Sequence, residues 1–162
     1  MAARSAGALS AFTDVPAEGG MLVGFVYTLR PAGSRDSIDC FQPIFLTSKG
    51  DHYGEPIGYL DPARRKTIQA KPGYAIGKMA IRGGGLWGGV NVIFMKITKD
   101  GLDANDSYES GWIGHQDQPR SPFLGDGRII VGVYGLRQND NNKNAAGICS
   151  LGVYVLKKKP VV

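Results

Sequence analysis

The sequence predicts an all-β single domain, and three observations predict it. Glycine supplies 24 of the 162 residues, with nine prolines beside it, about twice the usual glycine share and a sign of frequent chain reversal. Seven short runs rich in branched and aromatic residues are bounded by turn residues, as strands are. No window of helical length keeps apolar residues on a 3.6-residue period.

The predicted strands follow in order. "MLVGFVYTL" (21–29) begins after the turn pair Gly19-Gly20, and "SIDCFQPIF" (37–45) follows the turn cluster "RPAGSRD", with Pro43 calling for an edge or a bulge because it has no N–H to donate. "KTIQA" (66–70) and "YAIGKMAIR" (74–82) are split by the short turn "KPG". "VNVIFMKIT" (90–98) alternates Asn91, Ile93, Met95 and Ile97 with Val90, Val92, Phe94 and Lys96 and is apolar enough on both sides to have both faces covered. "RIIVGVYG" (128–135) and "ICSLGVYVLK" (148–157) close the series.

Gly24, Gly77, Gly132 and Gly152 fall inside strands, where glycine costs stability unless a bulge, curvature or close sheet packing uses it. A prism, barrel or sandwich supplies that use. "EGGMLVGFVYTL", "RGGGLWGGVNVIFMKI" and "LGDGRIIVGVYG" each set a glycine-rich turn before a β run. Their unequal spacing is no tandem repeat but suits three sheets in approximate threefold relation.

A chain of 17.3 kDa makes one domain. Residues 1–18, rich in Ala and Ser, read as a flexible lead-in, residues 19–158 as the folded body and 159–162 as a tail. The net charge of +5 has its densest cluster at Lys157, Lys158 and Lys159, and no basic stripe is interleaved with aromatics as a single-strand nucleic-acid binder needs. No run reaches the length of a membrane-spanning helix or of a signal-peptide core, so no membrane insertion or export signal is expected. Two cysteines, Cys40 and Cys149, exclude a disulfide scaffold and a four-cysteine zinc site. Both sit in apolar runs, and whether they bridge stays open.

Catalysis is not expected. His52 and His115 lie in polar loops, and no nucleophile elbow, phosphate loop or zinc helix occurs. An apolar, strand-borne Cys149 has its thiol pKa raised, not lowered. Asp100, Asp103, Asn105, Asp106 and Glu109 give a weak candidate calcium loop, but the required glycine and spacing are absent, so the reading is a solvated turn with no metal and no cofactor. Trp112, between Gly111 and Gly114, reads as a plug closing one end of the fold. The insert "RQNDNNKN" (137–144) presents eight polar side chains in a row, which suits both a binding loop and a long hairpin connector.

The segment order resembles a jacalin-type lectin domain, a β-prism of three four-stranded Greek-key sheets. The resemblance runs through "DSIDCFQPIF", through "KTIQAKPGYAIGKMAIRGGGLWGGVNVIFMKI", through "SYESGWIG" in place of the family's "ygpfG" turn, and through the closing "GDGRIIVGVYG" to "LGVYV". "GGMLVGF", "KPGYAIG", "DSYESGWIG" and "GDGRIIVGVYG" also resemble a group of uncharacterised bacterial proteins with no known activity. The lectin resemblance implies non-enzymatic carbohydrate binding where three loops converge at one end of the prism: Gly20, the loop "RGGGLWGG" with Trp87, and the loop with Arg137, Gln138, Asn139, Asp140, Asn141 and Asn142. It also implies a secreted or cell-surface setting, a glycan partner, no nucleic acid, and a homodimer that gains avidity. The family's GxxxD aspartate falls on Cys149 here, leaving Asp140 as the substitute carboxylate. The alternative is a structural or protein–protein interaction domain of the cell surface with no sugar site.

Overall fold

The computed structural model describes residues 9–32, 35–82, 88–116, 121–138 and 148–157, with the side chains of residues 30–32, 35, 36, 138, 148 and 149 outside that description. Ten strands are present among the described residues: β1 (Leu9–Asp14), β2 (Met21–Ala32), β3 (Arg35–Thr47), β4 (Gly50–Tyr53), β5 (Lys66–Gln69), β6 (Tyr74–Arg82), β7 (Gly89–Thr98), β8 (Gly101–Gly114), β9 (Ile130–Gln138) and β10 (Ile148–Val155). Among the described residues there is no helix.

The strands form three antiparallel sheets, ordered β4-β3-β2-β5, β6-β7-β8 and β1-β9-β10. In the first, β5 returns to lie beside β2, which is the Greek-key order. In the second, the stretch at Leu124 takes the same place beside β6: Met79 and Leu124 exchange two backbone hydrogen bonds of 2.8 and 3.0 Å. In the third, β1 holds that place beside β9.

Strands β2, β6 and β9, one in each sheet, share one sequence-level device. Each carries an extra residue that its neighbour does not match: Val23 between the pairs at Leu22 and Gly24, Gly77 between Ile76 and Lys78, and Val131 between Ile130 and Gly132. In a plain strand inward residues recur every second position, and one bulged residue makes the step three. The core follows that step: Leu22 and Phe25, Ile76 and Met79, Ile130 and Val133 are all fully buried in one cluster. From 22 to 76 and from 76 to 130 the interval is 54 residues, a third of the chain. The turn glycines Gly19, Gly73 and Gly127 keep the same interval, each with φ between 75° and 94°. "PGYAIGKMA", not "RGGGLWGGVNVIFMKI", is therefore the middle copy of the repeat.

Several expectations need correction. Leu9–Asp14 is not part of a flexible lead-in but pairs residue for residue with β9, its alternating burial giving it one inward and one outward face. The polar stretch 101–114 is not a turn but the long strand β8. Pro43 lies in β3, which is interior. Its missing N–H faces the β4 side, where β4 has just ended and Gly54 donates to the Pro43 carbonyl at 2.9 Å. Both faces of β7 are largely covered, as expected.

Candidate functional site

The register sorts the connections onto two ends. β2, β6 and β9 start at one end: Met21, Ala75, Ile97 and Leu102 pack in one cluster there, the β3–β4 and β7–β8 turns adjoin them, and Gly127, just before β9, donates to the Gly77 carbonyl of β6 at 3.1 Å. All three strands finish at the far end, where β6 leads to β7 and β9 leads to β10. The connections that carry Trp87 and residues 139–147 thus leave from strands ending together.

Gly20 does not belong with them. It opens β2 at the start end, and a Cβ there would lie 2.9 Å from the Leu46 carbonyl oxygen. Close packing on β3 accounts for the glycine, and the expectation that it borders the other two loops is corrected.

Of the remaining expected site residues, Trp87, Asn139, Asp140, Asn141 and Asn142 lie outside the described residues. Gln138 is described through its backbone, which pairs with Leu9 at the tip of β1. Arg137 is exposed at the far end and borders a cleft of about 310 Å³ with Ala11, Phe12, Thr13, Asp14, Glu55 and Ile57. Asp14 accepts the Glu55 N–H at 2.7 Å, and the side of the Phe12 ring backs onto Gly135. Two carboxylates, one guanidinium fork and an aromatic edge can accept and donate hydrogen bonds to a polyhydroxylated ligand. That Asp14 and Glu55 line one cleft with Arg137 was not legible in the sequence. The signal was the alternation Ser10, Phe12, Asp14 in "LSAFTD", masked by its small-residue composition.

The weak calcium candidates are not brought together. Asp100 lies in the β7–β8 turn, its N–H donating to Thr98, and Asp103 accepts the Asn105 N–H at 2.9 Å in an Asx turn. Asp106 accepts the Tyr74 hydroxyl at 2.7 Å and faces the Lys96 ammonium at 3.8 Å, while Glu109 stands opposite Ile93. Among the described residues no three such side chains are grouped to hold a metal ion.

Chemistry of the nucleophilic kind finds little to use. Cys40 is a free, fully buried thiol whose pKa is pushed up to about 12 by burial and by the charge of Asp39. His52 stands on β4 at the start end and His115 follows β8 at the far end. Trp112 is not a plug: Ile113 packs against the core, and Trp112 occupies the outer face with the Arg82 guanidinium 5.3 Å over its ring.

Three sheets with an internal threefold repeat define a β-prism. The same fold is found in crystal structures of lectins. The likeness spans 94% of this chain and 94% of a prostate-specific WGA16 glycoprotein lectin, with a TM-score of 0.63 and 17% identity. It spans 96% of this chain and 97% of a mannose-specific jacalin-related lectin from Morus nigra in complex with mannose (TM-score 0.57, 13% identity). For artocarpin in its mannotriose complex the shares are 94% and 99% (TM-score 0.58, 12% identity). At these identities the shared property is the fold. No protein-family model and no curated protein matches the chain.

Proposed function

We propose that this protein is a non-enzymatic carbohydrate-binding module whose site lies at the far end of the prism, at Trp87, Arg137, Gln138, Asn139, Asp140, Asn141 and Asn142. The observation that carries the reading is that β6 and β9 run toward the same end, so that the connections holding Trp87, Asn139, Asp140, Asn141 and Asn142 both leave from that end, where Arg137 and Gln138 close β9. Loops on a rigid scaffold are where recognition sits. The β-prism shared with proteins crystallised as mannose and mannotriose complexes supports the ligand class. Arg137 offers a planar donor fork for vicinal hydroxyls, Asp140 an acceptor, and Trp87 an aromatic face for the C–H side of a sugar ring.

A glycan array followed by calorimetry tests it. Wild-type protein binds a glycan with a Kd in the micromolar to millimolar range, and Asp140→Ala and Trp87→Ala each weaken it by about tenfold or more. Absence of glycan binding at millimolar concentration overturns the reading and leaves the interaction-domain alternative.

A further inference from the structure

We infer that the outer face of the β6-β7-β8 sheet carries a second ligand site, formed by Arg82 and Trp112 beside Asn91, that takes an acidic saccharide residue. The inference rests on the protein being carbohydrate-binding but not on the loops 83–87 and 139–147.

The site follows from register. Ala80, Asn91 and Trp112 form one cross-strand row, and Arg82, Gly89 and Gly114 form the next. The two glycines leave the second row without side chains between Arg82 and β8. They are close-packed: a Cβ on Gly89 would lie 2.9 Å from the Ile113 carbonyl oxygen, and Gly114 has φ 82°. Across this bare floor the Arg82 guanidinium reaches the Trp112 ring. The Arg82 carbonyl accepts from the Gly88 N–H at 2.9 Å and the Gly88 carbonyl from the His115 N–H at 3.0 Å, which ties His115 to the same corner.

Buried polar atoms are almost always hydrogen-bonded, and each exception calls for an explanation. Among the described residues three buried side-chain atoms are without a partner, Arg82 Nε, Asn91 Oδ1 and His115 Nδ1, and all three belong to this corner. Asn91 is only 8% exposed. Arg82 has no carboxylate within ion-pairing distance among the described residues, whereas Lys78 and Glu109, flanking Ile93 farther along the same face, bring opposite charges to it. The corner thus offers a donor with a full positive charge beside an aromatic surface. A neutral sugar leaves the guanidinium without its counter-charge, and a simple anion leaves the Trp112 ring beside it uncovered. A sugar bearing a carboxylate or a sulfate meets both, with its acidic group on the Arg82 guanidinium and its C–H face toward the Trp112 indole.

The test is an NMR titration of the ¹⁵N-labelled full chain with three probes: an unsulfated glucuronate-containing tetrasaccharide, galactose 6-sulfate, and neutral mannotriose. We expect at least one acidic probe to shift the Trp112 indole N–H and the Asn91 side-chain amide, the two probes distinguishing carboxylate from sulfate, and mannotriose to leave both signals in place. Arg82→Gln weakens the acidic probe by about tenfold or more, and Arg82→Lys, which keeps the charge but loses the planar fork, weakens it less. The inference is overturned if neither acidic probe moves these signals at millimolar concentration, or if Arg82→Gln binds the probe as the wild type does. The two sites fail separately. Acidic probes bound at Trp112 without any neutral glycan bound leave this site standing and the loop site refuted, and neutral glycan binding lost with Asp140→Ala, with no acidic probe moving the Trp112 signal, does the reverse.

Discussion

Cys40 and the strand glycines show what single positions contribute. The thiol of Cys40 ionises near pH 9.0 when unfolded and at about 12 in the fold, because burial and Asp39 both oppose the thiolate. The folded chain therefore holds the proton longer, and this part of its stability, full below pH 9, declines as pH rises toward 12. A thiol reagent at pH 8 should leave Cys40 unmodified in the native protein and label it on unfolding, as mass spectrometry of the peptide would read. Gly24 and Gly77 separate rigid from yielding neighbours. A Cβ on Gly24 meets the backbone of Ile68 and Gln69, whereas one on Gly77 meets only the Met95 side chain. Gly24→Ala is expected to cost about 3 kcal/mol in urea unfolding, and Gly77→Ala distinctly less. The burial of Cys40 was legible from its apolar context, and the outward aim of Trp112 was not. The bulge between Asn91 and Ile93, together with Gly111, breaks the alternation of β8 on which a face assignment depends.

The elements were legible where both faces are apolar. β6 was expected at 74–82 and is Tyr74–Arg82, and β7 at 90–98 is Gly89–Thr98. β1 and β8 went unread because each buries one side only. β1 spends that side on small residues and a single Phe12, while β8 is rich in Asp, Asn and Ser, which also write turns. The bulges are the elements' most consequential feature, since a one-residue slip sends every following inward side chain to the surface. Deleting Val131 is expected to strip the bulge from β9 and turn either Ile130 or Val133 out of the core. A collapsed amide spectrum would report the loss of fold, and a native spectrum would show that the bulge is dispensable.

At the scale of the molecule, the threefold repeat holds the two ends of the prism in register, and it explains why the candidate site was only half legible. The three echoes were visible, but the middle copy was assigned to the segment before β7 instead of to β6. That hid the 54-residue interval and left the end on which Gly20 lies unread. Leu22, Ile76 and Ile130 occupy equivalent core positions, so each change to alanine is expected to cost about 2–5 kcal/mol in chemical denaturation. A much smaller loss at any one would break the equivalence. The central claim, recognition of a glycan at the far end, is tested most directly by mapping the array's strongest glycan on the ¹⁵N-labelled protein. The expected result is a set of shifts at Leu9, Gly88, Gly89 and Arg137, with Gly19, Gly20, Gly73 and Gly127 unmoved; shifts gathered at those four glycines, or no shifts at saturating glycan, would contradict it.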